Sequence, residues 1–165
     1  MKQQTERFKK AYTALVNAYH NGTLAKGTCQ ACAVGNIVAD AMGAKIFKGD
    51  FGYFDCDQDN GFWSDMFCSG MTVAFISNFK AEKLLKLTGY SYVELAKVEK
   101  AFEFNCRIEE DDYNIHSEQE ILEDQFNGLS AVLDVLLELD DIQDSDNKLR
   151  ADLQAHPSLK LINSK

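Results

Sequence analysis

Apolar residues recur every three or four positions near the start of the chain. Phe8, Tyr12, Leu15 and Tyr19 share one side, and Lys9, Lys10 and Asn17 occupy the other. That period turns one stripe toward a core and predicts a helix from Thr5 to His20. Asn21 and Gly22 stop it, because glycine takes the left-handed conformation of a helix C-cap at low cost. A second helix is expected from about Cys29 or Gln30. Val34, Ile37, Val38, Ala41 and Met42 form its stripe, and Gly43 ends it. Gly35 within it predicts close approach of another element at the height of Cys32.

The period then changes. Residues 45–48, 51–54 and 71–76 are short β-type runs separated by glycine and aspartate clusters, which predicts a small β-hairpin or an irregular aromatic-rich insertion across 44–76. Helical spacing resumes near Asn78 and ends at Thr88 and Gly89. Ser91 with Glu94, and Ser117 with Glu120, have the spacing of capping boxes, in which the serine accepts an amide hydrogen bond and the glutamate reaches back. They open helices to about Cys106 and through Leu139. Leu122, Phe126, Leu129, Leu133 and Leu136 stripe the second of these. Gly128 interrupts that stripe at a cost of roughly 1 kcal/mol against alanine, which predicts that another backbone packs closely there. A last helix, about Asn147 to Ala155, stops before Pro157. The expectation is a mainly α fold of about five to six helices in a single domain, 1–165, with the small insertion near 44–76.

Composition narrows the function classes. No stretch is apolar for long enough to cross a membrane, and no apolar run follows the N-terminal residues, so no signal peptide is predicted. The expected location is a cytoplasmic, reducing compartment, where five cysteines are not expected to form disulfides. The net charge of −9 is unevenly spread. Residues 1–50 hold seven Lys or Arg against three acids, whereas 108–147 hold fourteen Asp or Glu and neither Lys nor Arg. Such an acidic half repels phosphate backbones, which excludes nucleic acid as its partner. It is either a solvated outer surface or an electrostatic docking surface for a basic protein partner.

Candidate chemistry centres on one segment. His20 ends the first helix, and Cys29 and Cys32 open the second across a short loop. Imidazole and thiolate are preferred zinc donors, and two cysteines three positions apart suit a single metal. A tetrahedral structural site needs a fourth donor, for which Cys106 is the candidate and Cys56, Cys68 and His116 are substitutes. The competing expectation treats the cysteines as small apolar residues of the core. Cys106 shares a face with Leu95 and Phe102, as a core cysteine would. A third reading makes Cys32 a nucleophile. The first turn of a helix lowers a thiol pKa, and the surrounding residues loosely resemble the papain-type pattern. His116 and Asn127 would then have to converge on it. A redox role is disfavoured because no thioredoxin-like βαβ pattern surrounds the pair. Asp55, Asp57 and Asp59 imitate a calcium loop, but Asn60 stands where the glycine is needed and Met66 where the bidentate glutamate is needed, so a polar turn is expected. Phe51, Tyr53, Phe54, Phe62, Trp63 and Phe67 are expected in the core or, if exposed, as an interaction surface.

Four groups of residues together resemble a known family: Tyr19 to Asn21; Cys29 with Cys32 to Asn36; Gly89 to Ser91 with Glu94, Leu95 and Glu99; and Phe126 to Leu129 with Ala131, Val132 and Glu138 to Asp140. They resemble a family of small uncharacterised bacterial and phage proteins that often carry the name of the flavin- and NADH-binding component of the sodium-translocating NADH:quinone reductase. The resemblance spans most of residues 8–142 outside the 44–76 insertion. That name does not transfer, because the reductase component is similar to a ferredoxin joined to a flavin- and NADH-binding reductase. This chain has neither the four-cysteine cluster run nor the dinucleotide loop. The resemblance implies the His20, Cys29 and Cys32 set with a cysteine at the position of Cys106, and no established activity. The combined expectation is a small protein-interaction module with a structural zinc on His20, Cys29, Cys32 and Cys106. The alternatives are an enzyme using Cys32 or a metal-free binding module.

Overall fold

A computed structural model describes residues 5–28, 30–47, 50–55, 78–144 and 147–155, with backbone only at 50–55 and at 78 and 79. The described residues form a mainly α architecture: α1 (Glu6–Asn21), α2 (Ala33–Met42), β1 (Lys45–Phe47), β2 (Asp50–Asp55), α3 (Asn78–Thr88), α4 (Tyr92–Asn105), a 3-10 turn (Glu110–Asp112), α5 (Glu118–Leu139) and α6 (Lys148–Gln154). The two strands pair antiparallel, Ile46 opposite Phe54, with an irregularity between Ile46 and Phe47. The third expected β-type run, 71–76, lies outside the described residues, as do Cys56, Cys68 and the imitation calcium loop beyond Asp55.

Local chemistry sets the helix ends. The Thr5 hydroxyl accepts the Phe8 N–H to start α1, and Gly22 ends it at φ 67°. Both capping boxes form, on Ser91 with Glu94 and on Ser117 with Glu120, so each serine and glutamate satisfies an otherwise orphaned amide. The start of α2 is later than its pattern suggests. The Ala31 and Cys32 amides bond back to Thr28, and the helix begins at Ala33 with Cys32 as its cap.

The apolar stripes of α1, α2, α4 and α5 meet in one core with Leu84 of α3 and Leu149 and Leu153 of α6. Phe8, Tyr19, Tyr90, Leu95 and Phe102 are fully buried in it. Helices α4 and α5 make the most extensive contact. They run antiparallel, since Phe102 and Cys106 sit on Gly128 while the Arg7 guanidinium reaches both Glu94 and Leu139. Two tyrosines of α1 carry their hydroxyls to backbone acceptors. Tyr19 donates to the Leu122 carbonyl at 3.1 Å and Tyr12 to the Leu149 carbonyl at 2.7 Å.

One polar joint ties three helix ends together. Arg7 donates to the Asp140 carboxylate at 2.8 Å, to Glu94 at 3.1 Å, and to the Gly89 and Leu139 carbonyls. Its guanidinium also lies 4.4 Å from the centroid of the Tyr90 ring, a cation–π distance. Asp140 further accepts the Thr5 hydroxyl and the Tyr90 hydroxyl, each at 2.7 Å. Burial opposes ionisation of Asp140, but hydrogen bonds from Arg7, Thr5 and Tyr90 outweigh it and hold the carboxyl below its usual range. Gly89 sits at φ 78°, and a Cβ there would lie 2.9 Å from the Arg7 Cβ. This position therefore suits glycine for two reasons at once.

Candidate functional site

Three of the four residues expected to hold the metal, His20, Cys32 and Cys106, are among the described residues. His20 is exposed in the last turn of α1, its ring 5.9 Å from that of Tyr19. Cys29 lies outside the described residues. Cys32 is buried and caps α2 with its sulfur, which accepts the Gly35 N–H at 3.4 Å. Gly35 is thus joined to the Cys32 sulfur by its own amide. Cys106 is buried at the end of α4, where its thiol faces the Asp124 carbonyl at 3.6 Å and lies over Gly128. Burial, followed by the nearby Asp124 and Glu103, pushes the Cys106 pKa well up. Among the described residues no three His, Cys, Asp or Glu side chains come close enough to share a metal ion. His20, Cys32 and Cys106 therefore make no three-donor group in this structure.

Hydrogen bonds also hold the loop between α1 and α2. Asn36, 6 % exposed, turns its amide into that loop. Its Nδ2 donates to the carbonyls of Ala31 at 2.8 Å, Cys32 at 3.1 Å and Thr23 at 3.1 Å, while Oδ1 accepts the Thr23 hydroxyl. In the sequence Asn36 stands out only as part of the family resemblance. Its signal is a polar residue among Val34, Gly35, Ile37 and Val38, four positions after Cys32.

The same loop docks on the segment after α4. Lys26 and Glu109 form a parallel bridge, and the Glu110 amide donates to the Lys26 carbonyl at 3.2 Å. The Thr28 hydroxyl donates to Glu110, and the Gly27 amide to Glu103 at 3.4 Å. Burial raises the Glu103 pKa, partly offset by that amide and by Lys26. Beneath the loop, buried Gln125 donates to the Leu24 carbonyl at 2.7 Å and to the Tyr113 hydroxyl at 2.9 Å. Asp124 accepts the Arg107 and Ile108 amides at 2.8–2.9 Å, which fixes the turn out of α4. Lys26, Gly27, Thr28 and their acidic partners thus join the α1–α2 loop to α4 and the segment after it.

The nucleophile reading names His116 and Asn127 as partners of Cys32. His116 is half-buried ahead of α5, next to Glu120, and Asn127 is exposed on α5. Cys32 itself is 1 % exposed.

The acidic region divides by task. Asp124, Asp140, Glu110 and Glu120 are engaged in the joints above, and Asp134 pairs with Arg150 at 2.6 Å. Glu138 stays on the outer side of α5. It edges an open groove of about 440 Å³ between α4 and α5. Ala101, Val135 and Leu139 line the groove, and Phe104 stands on its α4 side. Phe104 is 77 % exposed, the most exposed large apolar side chain among the described residues. Lys97 and Lys100 flank it on the same helix, with the Lys100 ammonium 5.5 Å from its ring centroid. A second cleft, about 290 Å³, lies between α1, α2 and β1 and is lined by Asn17, Asn21, Asp40 and Lys45. No described helix is long and apolar enough to cross a membrane.

Comparison with protein-family models, curated proteins and solved structures finds no match to this chain.

Proposed function

We propose that this chain is a small protein-interaction module whose contact face is the groove between α4 and α5. The observation that supports this is Phe104. A phenylalanine 77 % exposed forgoes roughly 2 kcal/mol of burial, and it does so beside an apolar groove rather than alone on a polar surface. Aromatic anchors beside such grooves are what carry most of the energy in protein contacts. The acidic region 108–147 contributes the α5 rim through Glu138, where charge sets register and selects partners.

A photo-crosslinking residue at position 104, introduced in cells that naturally express the chain, tests the reading. The expected result is an adduct of discrete mass that excess unmodified protein suppresses and excess Phe104→Asp protein does not. Adducts indistinguishable from those of the same crosslinker at Gln119, or unaffected by either competitor, would remove the reading.

The structural zinc expected on His20, Cys29, Cys32 and Cys106 is a separate proposal supported by residue type and spacing, and by the family resemblance. Metal analysis of protein purified without added zinc tests it. About one zinc per chain supports it, and a content near zero in reduced, unchelated material removes it.

A further inference from the structure

We infer that the partner of the α4–α5 groove is a second copy of this chain, related by a two-fold axis that runs along the groove. This rests on the proposal that the groove is a contact face and names what covers it. The support is the arrangement of charge on its two banks. Lys97 and Lys100 stand on the α4 bank and Glu138 on the α5 bank, with the apolar floor of Val135 and Leu139 between them and Phe104 projecting from one side. None of the three charged side chains has an ion-pair partner among the described residues.

Symmetry turns that pattern into a choice of partner. A two-fold axis in the plane of the face and parallel to the groove exchanges the banks, so the lysines of each copy face Glu138 of the other. Each Phe104 then projects toward the α5 bank of the opposite copy. An axis across the groove would set lysine against lysine and Glu138 against Glu138. The face is therefore self-complementary in one orientation and repulsive in the other, which fixes register as well as affinity. The net charge of −9 opposes association at long range, but salt screens that repulsion beyond about 8 Å at physiological ionic strength, whereas pairs in contact persist. The groove alone is smaller than the roughly 800 Å² per partner of a standard interface, so the dimer is reversible and depends on concentration.

The test is sedimentation equilibrium of the full chain up to about 1 mM, with charge-reversed variants. Wild type is expected to pass from one to two chains in mass as concentration rises. Lys97→Glu/Lys100→Glu alone and Glu138→Lys alone each weaken dimerisation at least about tenfold. Mixed in equal amounts, these two variants form a heterodimer, because each reversed bank then meets its complement in both halves of the contact. Wild type of one-chain mass throughout would overturn the dimer, as would two charge variants that associate no better mixed than alone. The crosslink at position 104 separates the two proposals. An adduct of twice the chain mass belongs to the dimer. A competed adduct with a different protein keeps the contact face and overturns the second copy.

Discussion

Gly128 on α5 lies directly beneath the thiol of Cys106 at the end of α4, with no room for a side chain between them. A Cβ at position 128 would collide with the sulfur and approach the Phe102 ring to 2.9 Å. The sequence pattern predicts close packing at Gly128 but assigns it to a backbone. The neighbours are two side chains of the antiparallel helix. Gly128→Ala should therefore destabilise by about 1–2 kcal/mol, the overpacking cost less the helix-propensity gain. In a Cys106→Ala background the cost should fall, giving a coupling near 1 kcal/mol in a denaturation cycle. Additive losses would show that the sulfur does not set the constraint.

Asp140 makes stability depend on pH in a defined direction. Its folded pKa lies below the unfolded value of about 3.9, so its contribution is complete above that value and is lost as pH falls through the folded pKa. Asp140→Asn should lower the unfolding free energy at neutral pH, and the gap from wild type should close as pH drops below about 4. Chemical denaturation of both proteins across that range checks it. Glu94 shifts the same way: burial opposes its ionisation, but Ser91 and Arg7 prevail.

Asn36 should be replaceable by neither a smaller nor a charged residue. Asn36→Ala leaves the Thr23 carbonyl without its donor and should cost about 1–3 kcal/mol. Asn36→Asp should cost more, since it sets an acceptor-only group against the carbonyls of Thr23, Ala31 and Cys32. Thermal unfolding of the two variants ranks them, and equal stability would contradict the role assigned to the amide.

Zinc makes an opposite set of expectations at the same loop. If His20, Cys29, Cys32 and Cys106 hold the metal, chelation should lower the melting temperature and Cys29→Ser should abolish bound zinc. If hydrogen bonds hold the loop, chelator leaves the melting curve unchanged. Differential scanning calorimetry with and without chelator reads the difference.

Much of the helical architecture is legible in the sequence because its signals are local. The stripe from Phe8 to Tyr19, the boxes on Ser91 and Ser117, and the stops at Gly22 and Gly43 each need only a few neighbouring residues. The pattern places the start of α2 too early because Thr28 draws the amides of Ala31 and Cys32 into a turn first. The joints are harder to see. Arg7 and Asp140 are 133 positions apart, and no periodicity links a cation in one helix to an acid after another. The residues that carry the family resemblance prove informative in a different way. Asn36, Gly89, Tyr90, Glu94, Gly128 and Asp140 are joints of this fold. The exposed position of Phe104 is not legible, since its spacing from Phe102 and Ala101 fits burial or exposure equally well.

On the proposed function, the Phe104 ring is a contact element, free in the dilute chain and covered when the protein is engaged. Fluorophenylalanine placed at position 104 alone, followed by ¹⁹F NMR, reads it directly. The expected resonance shifts when dilute protein is moved into a native cell extract or concentrated, and Glu138→Lys abolishes the shift. A resonance identical in dilute, concentrated and extract samples, or a shift that Glu138→Lys leaves unchanged, would contradict it.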